Sequence, residues 1–452
     1  MNVARINFSH GNYQDQEDRI NKFKEIREEL KLPIPLLLDT QGPEIRIGKF
    51  NDGKAYLKNE EIFSLINEEM LGDNTKVTVS YKNLCDDVSV GSTILVNDGT
   101  IELKVEEIHD RDIVCRVIHG GILTNRKSAN VPELKLNLPS ITQKDIEDIK
   151  YGISVGFDYI AASFVRKVED VIAIRNVLQE NGGKHIKIIS KIENREGVDN
   201  FDEILKISDG IMVARGDLGV EIPIEEVPIL QKQFIKKTYR QGKPVITATQ
   251  MLESMINNPK PTRAEVSDIA NSVYDVSSAI MLSGETATGN FPIECVKVMN
   301  KVTTAIEESI HYWSRFRKRN YNFEEFDYRF NMNYAVNMAS ANSNAKAILA
   351  YTNTGKTSRI LASFTPECPI FAITENEITY RQLGLCWNII PKLFPHQESI
   401  DDLIKVGIEE LKNEGLLQSG DLIIVAGGDK IVNDLETSEN GLNRIMGGFV
   451  KI

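Results

Sequence analysis

No stretch of the 452-residue chain approaches the roughly 20 apolar residues needed to cross a bilayer. Met1 runs directly into Asn-Val-Ala-Arg rather than a signal-peptide pattern, so the sequence reads as cytoplasmic. Cysteine is scarce: Cys85, Cys115, Cys295, Cys368 and Cys386 are an odd number without a Cys-x-x-Cys pair. Neither a disulfide framework nor a thiolate zinc site is signalled, and the thiols read as reduced and mostly buried. The six histidines are scattered, with no His-x-x-x-His, which argues against a zinc enzyme. Positive charge is also short, with 53 basic against 65 acidic side chains and a formal net charge of -12. Such a surface repels nucleic acid and anionic membranes, so any anionic ligand needs a local cationic pocket. The one basic run, Arg315, Arg317, Lys318 and Arg319, reads as a solvated helix end or linker.

What remains is ordinary globular composition, with 41% hydrophobic and 26% charged residues. Seven short apolar runs, most with β-branched residues, alternate with helical patterns and end in polar residues: Val3 to Phe8, Pro35 to Asp39, Tyr159 to Phe164, Lys187 to Glu193, Gly210 to Asp217, Pro244 to Gln250 and Ala279 to Glu285. From Ile160 through Ile188, Ile211 and Val245 to Ile280 the spacing is 23 to 35 residues, room for one strand and one helix each. The predicted class is α/β, a (β/α)8-type barrel with its chemistry at the carboxyl ends of the strands. Seven units do not close the usual barrel, so the expectation is of an N-terminally incomplete one. Turn signals at Asn51-Asp52-Gly53 and Asn97-Asp98-Gly99 mark an inserted β-rich segment. Thr142, with Asp145 in the first turn, reads as an N-cap where helical periodicity resumes. A further α/β pattern begins near Tyr334. The division is 1–42 and 140–316 for the barrel, 43–139 for the insert and 317–452 for the C-terminal part.

Lys191 and Glu193, two apart at a strand end, lie on one pleat face, and Asp217 at the next strand end can meet them. Two carboxylates with open positions suit Mg2+ bound together with phosphate oxygens, while the alternative is an inter-strand salt bridge. Thr247, Thr249, Gln250, Ser283 and Glu285 fall on the same rim, as functional groups or as helix caps. Asn7, Ser9, Asp39 and Thr40 could cage a hard cation, and Arg5 and Arg46 could neutralise phosphates.

Six ordered motifs carry a resemblance: Arg5-Ile-Asn-Phe-Ser-His-Gly11, Asp39-Thr-Gln-Gly-Pro-Glu-Ile-Arg46, Ser190-Lys-Ile-Glu-Asn194, Met212-Val-Ala-Arg-Gly-Asp217, Ala248-Thr-Gln-Met-Leu-Glu-Ser254 and Met281-Leu-Ser-Gly-Glu-Thr286. Together they resemble the pyruvate kinase family. The resemblance implies a barrel, a small β-barrel lid inserted after a barrel strand, a C-terminal α/β domain and a homotetramer. It implies phosphoryl transfer from phosphoenolpyruvate to ADP, giving pyruvate and ATP. Lys191 then stabilises the phosphoryl group in flight, and Glu193 and Asp217 hold Mg2+ or Mn2+. Gly216, Asp217 and Thr249 contact substrate, with Thr249 beside the enolate. Arg5 binds phosphate, and Asn7, His10 and Arg46 face the nucleotide. Asn7, Ser9, Asp39 and Thr40 match the family's K+ ligands, and the acid at Glu44 goes with K+ dependence. Catalysis of this type rests on positioning and charge neutralisation.

Members of the family normally begin with another strand and helix before the position of Met1, and Gln41 stands where they commonly carry Lys. An alternative function is therefore a truncated, non-catalytic subunit that binds effector or supports assembly. In the C-terminal part, Ala350-Tyr-Thr-Asn-Thr-Gly-Lys-Thr357 fits a loose P-loop pattern, which makes a P-loop ATPase the formal rival. The resemblance instead implies a phosphorylated allosteric effector at Thr352, Asn353, Thr354, Gly355, Lys356, Thr357 and Ser358. A helix-capping loop without ligand is the plain alternative, and Asp429 belongs either to this pocket or to a turn.

Overall fold

A computed structural model of the chain describes residues 1–9, 11–132, 134–321, 328–397, 400–427 and 446–451. His10 and Asp429 lie outside the described residues. Seven parallel strands pair in sequence order: Ala4–Asn7, Leu36–Asp39, Tyr159–Ala162, Lys187–Ile192, Gly210–Ala214, Val245–Ala248 and Ala279–Met281. The central strands are buried on both faces, as near-continuous apolar runs require. Leu37, Tyr159, Ala161, Ile189, Met212, Ile246 and Ala248 form an inner row around which the sheet curls. Their alternate neighbours Leu36, Leu38, Ile160, Ile188 and Ile211 pack outward under the helices.

Two of the anticipated strands end sooner than their polarity suggests. Gly210–Ala214 gives way to a helix at Arg215–Glu221, so Asp217 sits in a helix's first turn rather than on the pleat. The Gly216 amide donates to the Thr249 hydroxyl at 2.7 Å, a tie that helps hold this first turn against its helix-weakening glycines. Likewise Glu285 falls in the short helix Gly284–Ala287, its carboxylate accepting from the Ser283 and Leu252 amides.

Between the second and third strands the chain builds a six-stranded sheet and a separate two-stranded one. Their core gathers Phe63, Leu65, Val77, Ile94, Val105, Ile113 and Cys115. Asn97, Asp98 and Gly99 all take positive φ, as their turn signal requires. The two roots of the insert are tied together. Thr142 and Asp145 form a capping box, and the other Asp145 oxygen accepts from the Gly42 amide at 3.0 Å. The buried Arg166 guanidinium pairs with Asp170 and donates to the carbonyls of Leu138 and Pro139, each at 3.0 Å.

The C-terminal part is a five-stranded sheet in the order Ile389–Leu393, Ile370–Thr374, Ala347–Tyr351, Leu422–Gly427, Met446–Lys451, with only the last pairing antiparallel. It docks at the amino ends of the barrel strands. Arg381 pairs with the buried Asp158 at 2.8 Å, whose other oxygen accepts from the Leu36 amide at 2.9 Å. Arg315 donates to the Tyr274 carbonyl and Arg317 to that of Ala341, so the basic run braces the linker helix Tyr312–Lys318.

Candidate active site

Because parallel strands in register end together, Asn7 lies opposite Asp39 and Ala161 opposite Asp39 on its other side. The polar residues just past these ends meet in a cavity of about 140 Å³ lined by Arg5, Asn7, Ser9, Asp39, Gln41, Glu44, Arg46, Ser163, Phe164, Lys191, Glu193 and Asp217. Asp39, 1% exposed, anchors it: Oδ2 lies 2.6 Å from Arg5 Nε and Oδ1 lies 3.1 Å from Lys191 Nζ. Burial alone would raise the Asp39 carboxyl, but Arg5 and Lys191 hold it below the ordinary carboxylate range. Lys191 also donates to Ser163 Oγ at 2.8 Å. Burial disfavours its charge, yet Asp39 and Glu193 more than reverse this and keep it protonated.

Glu193 is fully buried, and its Oε2 accepts the Phe164 amide at 2.6 Å. Its Oε1 lies 3.0 Å from Lys191 Nζ but outside hydrogen-bonding geometry, so that buried oxygen has no hydrogen-bond partner. Burial and the nearby Asp217 raise the carboxyl against the pull of Lys191. A buried carboxylate oxygen that takes part in an ion pair but in no hydrogen bond, with Asp217 lining the same cavity, fits a divalent cation of oxygen-ligand chemistry. The inter-strand salt bridge is therefore present without satisfying Glu193, and the two readings of this pair coexist.

On the opposite wall Arg46 pairs with Glu44 at 2.7 Å and donates to the Arg126 carbonyl at 2.8 Å. Asn7 Oδ1 accepts from the Ser9 amide at 3.0 Å, drawing two candidate cation ligands together beside Asp39. Thr40 is buried, its hydroxyl receiving the Ser163 amide at 3.1 Å and its carbonyl the Ser163 hydroxyl at 2.6 Å. Neutral oxygens beside one carboxylate are the kind of donor set that hard cations take. Thr249 adjoins Gly216, neither of them among the residues lining the cavity, and is held at φ +69° beside Gln250 at φ +55°, both unusual for residues with a side chain. Arg215 donates to the Thr249 carbonyl at 2.6 Å and pairs with Asp268 at 2.6 Å, bracing that turn.

Sequence reasoning missed Ser163. It occupies the same place after the third strand that Thr40 occupies after the second, so the strand-end rule could have found it. Remote from this cavity, Gly355 at φ +77° opens the helix Lys356–Ser363, behind a loop in which Asn353, Thr354 and Lys356 are exposed. The hydroxyls of Thr352 and Ser358 are buried there without hydrogen-bond partners.

Comparison with known proteins agrees with this geometry. The family described as "Pyruvate kinase, barrel domain" matches residues 1–296, and "Pyruvate kinase, alpha/beta domain" matches residues 332–439. A pyruvate kinase of Clostridium perfringens is 46% identical over 432 residues, covering 95% of this chain and 91% of the relative. One of Clostridium acetobutylicum is 46% identical over 429 residues, covering 95% and 90%. One of Geobacillus stearothermophilus is 45% identical over 430 residues, covering 95% of this chain and 73% of the relative. With the strand-end cavity, the curled parallel sheet and two family domains matched in order, the chain belongs to the pyruvate kinase family.

Proposed function

We propose that the strand-end cavity transfers the phosphoryl group of phosphoenolpyruvate to ADP, giving pyruvate and ATP in glycolysis. The observation that carries this reading is the Lys191 ammonium ion-paired at 3.0 Å with the buried Glu193 Oε1, which has no hydrogen bond, with Arg5, Arg46 and Asp217 on the same small cavity. Arg5 binds the phosphoryl group, and Lys191 follows its charge as the P–O bond to the enol oxygen breaks and that to the ADP β-phosphate oxygen forms. Thr249 and the Gly216 backbone face the enolate, whose C3 takes a proton. Asn7, His10 and Arg46 orient the nucleotide. Glu193 and Asp217 would hold Mg2+ or Mn2+, which neutralises phosphate charge when bound. Asn7, Ser9, Asp39 and Thr40 would hold K+. Gln41 on the cavity wall leaves that side one positive charge short of the family's common Lys.

The same reading divides the chain into barrel (1–42 and 140–316), lid (43–139) and C-terminal domain (317–452), in a cytoplasmic homotetramer. Among the described residues no helix is long and apolar enough to cross a membrane. The loop from Thr352 to Ser358 would take a phosphorylated effector. Its support is the two buried, unpartnered hydroxyls behind exposed backbone at a helix start.

The test is pyruvate formation by the purified chain with phosphoenolpyruvate, ADP, Mg2+ and K+, beside Lys191→Met. Turnover lost in the variant is expected. Absence in both would favour the non-catalytic subunit. ATP hydrolysis without phosphoenolpyruvate, lost in Lys356→Ala but kept in Lys191→Met, would favour the P-loop reading. Equal turnover with and without K+ would remove the monovalent site.

A further inference from the structure

An ammonium on a four-carbon stem is a rotor with three N–H bonds, and it stabilises a passing charge only when one bond is aimed. Lys191 Nζ has three oxygens within reach: it donates to Asp39 Oδ1 at 3.1 Å and to Ser163 Oγ at 2.8 Å, and Glu193 Oε1 lies 3.0 Å away in an ion pair. The Ser163 hydroxyl has a single proton, and its closest acceptor is the Thr40 carbonyl at 2.6 Å, nearer than Asp39 Oδ1 at 3.3 Å. Its lone pairs are thereby turned toward the ammonium. The backbone is fixed as well, since the Ser163 amide donates to Thr40 Oγ1 at 3.1 Å and the residue is 7% exposed. We infer that Ser163 is a positioning residue: with Asp39 it locks the Lys191 rotor so that the third N–H is held on the Glu193 side of the cavity. Its strand-end place marks Ser163 without telling what it does, and the role rests on the reaction assigned to Lys191 above.

Without Ser163 the ammonium is held only between the carboxylates of Asp39 and Glu193 and can swing from one to the other; the neutral Ser163 oxygen fixes its orientation. Ser163→Ala removes the acceptor, and Ser163→Cys keeps the volume with a poor acceptor. Both should lower kcat about tenfold to a hundredfold, the range in which a misplacement of about 1 Å falls. The KM for phosphoenolpyruvate should move by no more than about threefold, because Arg5 still binds the ground state. Mn2+ affinity, read by calorimetry on the full-length variants, should stay within about twofold, since Glu193 and Asp217 are untouched.

Wild-type kcat in either variant would overturn the proposal, as would a kcat loss in Ser163→Ala alone, which would make the residue a space-filler. Parallel losses of Mn2+ affinity and thermal stability would also overturn it, in favour of a structural role. The underlying reaction fails separately, through an inactive wild type or an active Lys191→Met, and would take the proposal with it.

Discussion

Replacing Asp39 with Asn keeps the shape of the cavity floor and removes its charge. Asp39 is 1% exposed and faces two cations, Arg5 at 2.6 Å and Lys191 at 3.1 Å, whose side chains are only 21% and 12% exposed. Asn presents one acceptor and one N–H2, so one of the two cations meets a donor. Breaking a buried pair in this way costs about 3–5 kcal/mol, mostly from the charge left uncompensated. We expect Asp39→Asn to lower the opening free energy of the strand Leu36–Asp39 by about 3 kcal/mol, measured by native-state hydrogen exchange, which reads one segment of a multidomain chain. Adding Lys191→Met removes one stranded cation, so the double variant should be at least about 1.5 kcal/mol more stable than the summed singles predict. Singles that add to within about 0.5 kcal/mol, or a loss under about 1 kcal/mol, would refute this account of the floor. The pH dependence has a defined sign. The Asp39 carboxyl is held below its ordinary 3.8. Its contribution is therefore complete above that value and is lost as pH falls through the lower, folded-state value.

Lys243 caps the helix Phe201–Ile207 through the Leu205 and Lys206 carbonyls, and burial pushes its amine down to about 8 from 10.5. The folded form sheds that proton first, so between about pH 8 and 10.5 wild type should gain about 1–2 kcal/mol relative to Lys243→Met. A pH-independent difference in urea unfolding would contradict this. Glu265 accepts from the Ser254 amide and hydroxyl and from the Thr262 amide and hydroxyl, at 2.6 to 2.9 Å. Glu265→Ala should cost about 2 kcal/mol and speed proteolysis between Glu253 and Thr262. A Cβ on Gly384 would lie 2.1 Å from the Pro33 carbonyl. Gly384→Ala should therefore loosen the docking of the C-terminal part on the barrel, seen as faster exchange at Asp158 and Arg381, and an unchanged rate there would show that the backbone yields.

The sequence made the barrel strands legible because short apolar runs buried on both faces have few other uses, and Leu36 to Leu38 are such a run. Lys191 and Glu193 were legible for the same reason: pleat alternation places them together before any fold is known. Ser163 was legible only as a strand-end residue, since its role gains meaning only when Thr40 and Lys191 arrive from strands far away in sequence. The helix at Arg215 was hidden by Arg-Gly-Asp-Leu-Gly, whose glycines argue against it until the Thr249 hydroxyl takes the Gly216 amide. The left-handed turn at Thr249 and Gln250 had no glycine to announce it. The seat of the C-terminal part on Asp158 was out of reach too, because Arg381 lies 223 residues away.

The tied roots of the insert also bear on the order in which the molecule assembles. Leu36 and Asp158, which open the second and third barrel strands, are 122 residues apart. Closing so long a loop between flexible ends is disfavoured by roughly 1 kcal/mol more than closing one of about 28 residues, or several-fold in rate. If the insert folds first around its own core, the slack collapses to the short stems joined at Gly42 and Asp145. The second and third strands then meet almost as quickly as any neighbouring pair. An insert that destabilised its own core would slow the barrel without touching a barrel residue, a kinetic lesion that equilibrium contacts alone would never reveal.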